Sequence, residues 1–126
     1  MARYLLDTHT VLWWLGEPEK LSKAARELIA DGRSELFFSA ASVWEMSIQR
    51  ALGRLSFPGN LPDVLRKQRI TLLPIAMPHA LAVGDLPAHH TDPFDRMLVA
   101  QANVEGLVVV TRDAVFESYG VGVVRA

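Results

Sequence analysis

Short apolar runs alternate with longer amphipathic segments along the whole chain. The runs are rich in β-branched and aromatic residues and are bounded by turn-forming or charged residues, which is typical of strands. Residues 107–110 form the clearest run, and a segment so uniformly apolar predicts a strand that is buried on both faces. The predicted strands are residues 4–6, 36–38, 71–75, 107–110 and 121–124.

The segments between these runs carry helical periodicity and recognisable end signals. Ser22 is a predicted N-cap, Pro93 opens a helix, and Gly16 and Gly106 each follow the last residue of one. The predicted helices are residues 8–15, 21–30, 39–52, 61–69, 78–84 and 93–105, with a short one at 114–118.

Alternation of strands and helices predicts an α/β fold, a three-layer sandwich with a mainly parallel central sheet. We expect one domain spanning residues 1–126, a length sufficient for a hydrophobic core. In such a fold, functional residues gather beyond the carboxyl ends of the strands.

The charge balance excludes a strongly basic nucleic-acid-binding domain. Lys and Arg total 13 against 14 acids, for a net charge of −1. Contact with nucleic acid would need a local patch, and a plain solvated face is the equally good alternative. The candidates for such a patch are Arg50, Arg54, Arg66, Lys67 and Arg69.

Several other classes are excluded by composition. The chain has no cysteine, so it forms no disulfide, thiolate metal site or cysteine nucleophile. The first apolar run is interrupted by Asp7 and His9 and does not resemble a signal peptide, and no apolar stretch approaches about 20 residues. We expect a cytoplasmic protein without membrane contact.

Two acids follow predicted strands. Asp7 comes directly after the first strand, and Asp113 lies two residues beyond the strongest one, after Thr111 and Arg112. Each alone would be explained as a helix cap. Their coincidence on one edge of the sheet favours a site.

Glu45 is placed near the core by the pattern of its helix. The apolar stripe of that helix runs through residues such as Ala41, Trp44 and Ile48, and Glu45 lies at its edge. A charge facing the core needs an ionic partner or a metal. A buried salt bridge with an arginine is the alternative.

The stretch 92–96, DPFDR, combines capping with a candidate catalytic acid. Asp92 is the predicted N-cap, which puts Asp95 at the third helical position. One alternative is that Asp95 bonds back to the cap. The other is that it points at the edge of the sheet, because it is aligned with the apolar face of its helix.

Four carboxylates at one place repel each other unless a cation is bound. An all-oxygen site suits Mg²⁺ or Mn²⁺ better than Zn²⁺. The resulting hypothesis is metal-dependent hydrolysis of phosphodiesters. A receiver-like signalling module would need paired acids after the first strand and a late lysine, both of which are missing. A pure binding module stays open.

Four segments in this order, "LLDTH", "SAASVWE", "DPFDRMLVAQA" and "VVTRD", resemble the PIN-domain ribonucleases, in particular VapC-type toxins of type II toxin–antitoxin pairs. The resemblance covers essentially the whole chain. It implies an endoribonuclease that uses Mg²⁺ or Mn²⁺, a homodimer, and inhibition by a small VapB-like antitoxin whose tail enters the catalytic groove. The positions that match the acidic quartet of the family are Asp7, Glu45, Asp95 and Asp113.

Other positions match or adjoin that site. By resemblance, Thr8 and Thr111 support it, and Asp92 and Arg96 flank Asp95. From the residues themselves, His9 is a possible substrate contact, and Arg96 and Arg112 are possible contacts of substrate or an antitoxin acid. His89 and His90 are interpreted as loop residues near the groove rather than as ligands.

Overall fold

The computed structural model describes residues 2–126, which form a five-stranded sheet with helices on both faces. The strand order is β3-β2-β1-β4-β5, and every pairing is parallel. The predicted α/β sandwich is therefore confirmed, and its sheet is parallel throughout. The strands are β1 (Arg3–Leu6), β2 (Glu35–Ser39), β3 (Ile70–Leu73), β4 (Val108–Thr111) and β5 (Val123–Arg125).

The helices begin and end close to the predicted positions. Ser22 caps α2 by accepting from the Ala25 amide, and Gly106 ends α6 in the left-handed region with φ 67°. The predicted strand at 71–75 is shifted, because Pro74 ends the pairing early and Ile70 begins it. The helices are α1 (Thr8–Gly16), α2 (Lys23–Ala30), α3 (Ala40–Ala51), α4 (Leu61–Lys67), α5 (Met77–Val83) and α6 (Pro93–Glu105), with 3₁₀ turns at Pro18–Lys20 and Ala114–Tyr119.

Two hydrophobic clusters cover the two faces of the sheet. Alternate residues of β1 point to opposite sides, so that Leu6 packs with Val11 and Met46, whereas Leu5 packs with Leu98. All five side chains are essentially buried. This arrangement explains why the central strands are apolar throughout. None of the helices in residues 2–126 is long and apolar enough to cross a membrane.

The prediction for the buried face of α3 is confirmed at Ala41 and wrong at Trp44, Ile48 and Leu52. Trp44 is 60% exposed and Leu52 57% exposed, whereas Ala41, Ser42 and Met46 are buried. The face that α3 presents to the protein carries Met46 together with the small residues Ala41 and Ser42, and small side chains allow a helix to approach its neighbours closely. Trp44 and Leu52 lie on the outer surface instead, and the position of Glu45 has to be explained by its own contacts.

Candidate active site

Asp7 and Thr111 are held together at the carboxyl ends of the two central strands. The Asp7 amide donates to the Val110 carbonyl at 3.1 Å. Its Oδ1 accepts from the amide and hydroxyl of Thr10, at 2.9 and 2.7 Å, which caps α1. Its Oδ2 accepts from the Thr111 hydroxyl at 2.5 Å. Capping and side-chain contacts together fix this carboxylate at the edge of the sheet.

Asp113 is tied to the same threonine. Its backbone amide donates to Thr111 Oγ1 at 3.1 Å, so one hydroxyl contacts the carboxylate of Asp7 and the backbone of Asp113. Asp113 Oδ1 accepts from the Val115 amide at 3.0 Å and caps the following 3₁₀ turn. The side chain is otherwise exposed to solvent. The predicted proximity of these residues to the end of β1 is thus found.

Glu45 approaches the site from α3. Its Oε1 accepts a hydrogen bond from the Thr8 hydroxyl at 2.8 Å. Thr8 follows Asp7 in the chain and is buried. No arginine pairs with Glu45 among residues 2–126, so the alternative of a buried salt bridge is not found. Glu45 is partly exposed and directed at the site by Thr8.

The carboxylates of Asp92 and Asp95 make different contacts. Asp92 Oδ1 accepts from the amides of Phe94 and Asp95, at 2.8 and 3.2 Å, which confirms it as the N-cap of α6. Asp95 does not bond back to the cap. Its Oδ2 lies 2.9 Å from Nε2 of His90.

The environment of Asp95 disfavours its charged form. Burial raises the pKa of this carboxyl to about 6, with a further increase from the negative charge of Asp92 and a smaller one from Glu45. The hydrogen bond and charge of His90 act in the opposite direction. A cation near Asp95 would relieve the same unfavourable charge.

His90, Asp95 and Asp113 form a group that could hold a metal ion. One potential ligand atom of each lies within 4.8 Å of the others. Carboxylate oxygens fit a hard divalent cation, and Thr111 connects Asp113 to Asp7. The sequence interpretation did not include His90 in the site. The feature of the sequence that could have indicated His90 is its position in the polar loop immediately before the cap of α6.

Two arginines predicted as possible contacts of substrate or antitoxin make bonds within the protein. Arg96 donates to backbone carbonyls of the preceding loop, among them Pro87 at 2.9 Å and Val83 at 3.1 Å. Arg112 donates to the carbonyl of Ala126 at 3.1 Å, and its guanidinium lies 4.3 Å from the centre of a tryptophan ring. Both guanidinium groups therefore stabilise the protein's own backbone, and their contact with a ligand stays a prediction.

His9 lies on the exposed side of α1, two residues after Asp7. Its ring packs against Trp13, with ring centres 5.7 Å apart. The side chain is exposed. An exposed ring can reach a substrate, so the contact of His9 with substrate stays a prediction.

A groove of about 820 Å³ lies between α3, α4 and β3. Its apolar lining includes Leu61, Leu65 and Ile70. Three of the basic residues noted in the sequence, Arg50, Arg66 and Arg69, are at its edge. The acids described above do not line it, so this basic surface is separate from the candidate metal site.

Comparison with known proteins identifies the family of the chain. The PIN domain family matches residues 4–122. Ribonuclease VapC22 of Mycobacterium tuberculosis (strain ATCC 25618 / H37Rv) is 35% identical over 126 residues, which is 94% of this chain and 93% of the relative.

Solved structures share the fold at lower identity. DNA-bound VapBC from Salmonella typhimurium has a TM-score of 0.69 with 23% identity and covers 98% of both chains. VapBC2 from Rickettsia felis bound to a promoter DNA fragment has a TM-score of 0.73 with 15% identity and covers 97% of both chains. The resemblance found in the sequence is confirmed: the chain belongs to the PIN domain family.

Proposed function

We propose that this protein is a metal-dependent endoribonuclease and the toxin of a toxin–antitoxin pair. The observation that carries the proposal is that Asp95 and Asp113 lie in one group of potential ligands, to which Thr111 links Asp7, while Thr8 holds Glu45. The identity of 35% to a ribonuclease supports RNA as the substrate. The proposed metal ligands are Asp7, Glu45, Asp95 and Asp113, with Mg²⁺ or Mn²⁺ as the cofactor.

The protein's own residues prepare the acids for this role. Threonine hydroxyls hold Asp7 and Glu45 in fixed orientations, which removes the need to order them when a cation binds. Asp95 sits where a positive charge is favoured, because its carboxylate is partly buried near other acids. When bound, the cation supplies a nucleophilic water and neutralises charge on the phosphate.

Cleavage of RNA by the purified protein tests the proposal. With Mg²⁺ or Mn²⁺ we expect cleavage, and with EDTA none. Asp7→Asn and Asp113→Asn should each lower the rate by about 100-fold or more, because each removes one charged ligand while keeping its shape. Asp63→Asn is the matched control, since this acid lies on α4 and pairs only with Arg66 at 2.7 Å.

The outcomes separate an enzyme from a binding module. Cleavage that persists in EDTA and in both variants would contradict the proposal. A protein that binds RNA without cleaving it in either metal would favour the binding-module alternative. Circular dichroism of each variant establishes that the fold is intact.

The antitoxin is part of the same proposal. The groove between α3 and α4 combines an apolar lining with arginines at its edge, which suits an amphipathic segment that carries acids. The probe is the small protein encoded in the neighbouring reading frame. Arg66→Glu with Arg69→Glu should weaken its binding, whereas Arg33→Glu on an exposed turn should not. Equal affinity for all three proteins would contradict this placement.

We also propose a homodimer. Large apolar side chains are exposed at two helices: Trp44 on α3 and Leu52 directly after it, and Met77 and Leu81 on α5, the last two at 75% and 69%. Such exposure is typical of an interface rather than of a monomer surface. Sedimentation should give a dimer for the wild type and a monomer for Leu81→Asp. A monomeric wild type would contradict it, and Ala24→Asp on α2 is the control.

A further inference from the structure

We infer that His90 is a positioning residue: it donates a hydrogen bond to Asp95 and holds that carboxylate in the orientation that a cation requires. The inference deepens the proposed function and rests on it. The evidence is the pair of contacts that the two ring nitrogens make, which decide what the ring can do.

The first contact determines where the ring carries its proton. Nδ1 of His90 accepts a hydrogen bond from the backbone amide of Thr91 at 3.1 Å. An accepting nitrogen must present its lone pair, so in the neutral ring the proton is on Nε2. Nε2 therefore donates to Oδ2 of Asp95, from which it is 2.9 Å distant.

The same contact argues against His90 as a metal ligand. To bind a cation, Nε2 would have to present its own lone pair, and the proton of the neutral ring would move to Nδ1. The proton on Nδ1 would then face the Thr91 amide, with two donors 3.1 Å apart. The ring therefore acts through Asp95, although its Nε2 lies close enough to the acids to be grouped with them.

Arg96 explains how His90 is kept in place. Arg96 follows Asp95 in α6, and its guanidinium donates to the carbonyls of Val83 and Pro87, at 3.1 and 2.9 Å. A weaker contact of 3.5 Å reaches the carbonyl of His90 itself. The planar fork of arginine joins the loop to the helix that carries the acid. Both His90 and Arg96 thus connect the loop to the helix that carries Asp95.

The consequence concerns the free oxygen of Asp95. His90 occupies Oδ2, and within residues 2–126 no hydrogen bond to Oδ1 is found. A carboxylate whose one oxygen is fixed by a donor presents the other in a defined direction. Such outer partners typically change metal affinity by about 10-fold to 100-fold.

Calorimetric titration of the protein with Mn²⁺ tests the inference. His90→Ala should weaken Mn²⁺ binding by about tenfold or more. His90→Gln should restore most of the affinity, because its amide nitrogen reaches about as far as Nε2 and also donates. His89→Ala is the matched control: this neighbouring ring packs against Tyr119, with centres 5.1 Å apart, and should leave the affinity unchanged.

Two results would overturn the inference. One is wild-type Mn²⁺ affinity in His90→Ala. The other is a folded His90→Gln variant as weak as His90→Ala, which would show that the donor is not what matters. Nitrogen-15 NMR of the histidine rings with Mg²⁺ gives an independent reading. Nε2 should stay protonated, and its deprotonation on metal binding would make His90 a ligand instead.

The same titrations separate this inference from the proposed function. If Asp95→Asn loses Mn²⁺ binding while His90→Ala retains it, the role of His90 fails and the nuclease proposal stands. If the wild type binds no divalent cation at all, the nuclease proposal fails, and the inference fails with it.

Discussion

Replacing Asp95 by asparagine should stabilise the metal-free protein near neutral pH. The folded environment raises the pKa of Asp95 from 3.8 to about 6, so the folded state binds a proton more tightly than the unfolded chain does. The stability contributed by that proton is fully present below the unfolded pKa and is lost as the pH rises through about 6. At neutral pH the wild type therefore carries an unfavourable buried charge, which asparagine removes.

The magnitude follows from the difference between the two pKa values. At about 1.4 kcal/mol per pKa unit, the rise corresponds to about 3 kcal/mol. Since 25% of the Asp95 side chain is exposed, solvent screening reduces the expected gain to about 1–2 kcal/mol. Asparagine can still accept the hydrogen bond from His90, so this contact is not lost.

Urea unfolding with EDTA at two pH values measures the effect. At about pH 7.5, Asp95→Asn should be more stable than the wild type by about 1–2 kcal/mol, and at about pH 4.5 most of that difference should have disappeared. Asp85→Asn, which replaces an exposed acid, is the control and should change stability by less than about 0.5 kcal/mol. An Asp95→Asn variant that is less stable at neutral pH, or whose gain is the same at both pH values, would refute the reasoning.

Three further predictions concern the elements that place the site, and equilibrium unfolding of the metal-free protein measures each. Asp92→Ala should cost about 1 kcal/mol, because two amides of α6 lose their cap; an unchanged stability would contradict that capping role. Met46→Ala should lower the free energy of unfolding by about 2–5 kcal/mol and Ile48→Ala by clearly less, since these side chains are 0% and 37% exposed. Equal losses would indicate that Ile48 is buried, as the sequence pattern predicts. Gly106→Ala should cost about 1–2 kcal/mol, because φ is 67° there, and a neutral effect would argue against that backbone conformation.

The sequence predicts most of the fold because its strands are unambiguous. Residues 107–110 are apolar and β-branched, which only a strand covered on both faces explains, and β4 lies at Val108–Thr111. The cap at Asp92 was predictable for a similar reason, since it is local chemistry. The buried face of α3 could not be predicted in this way. Hydrophobicity favoured Trp44, whereas the helix buries Ser42 to approach its neighbours closely.

The site was predictable as far as it depends on strand ends. Asp7 and Asp113 follow neighbouring parallel strands, and topology places them at one edge. His90 and Arg96 show where this reasoning stops. Which nitrogen of His90 contacts Asp95, and which carbonyls Arg96 holds, depends on the path of a loop that no periodic pattern encodes.

The central claim is that acids from separate elements form one metal site, and a crystal structure of the protein with Mn²⁺ tests it most directly. The account predicts an anomalous-scattering peak within about 2.0–2.6 Å of carboxylate oxygens of Asp7 and Asp95, the range of hard divalent cations, with Nε2 of His90 bonded to Asp95 rather than to the ion. A peak at another surface of the protein, or none at saturating Mn²⁺, would contradict it.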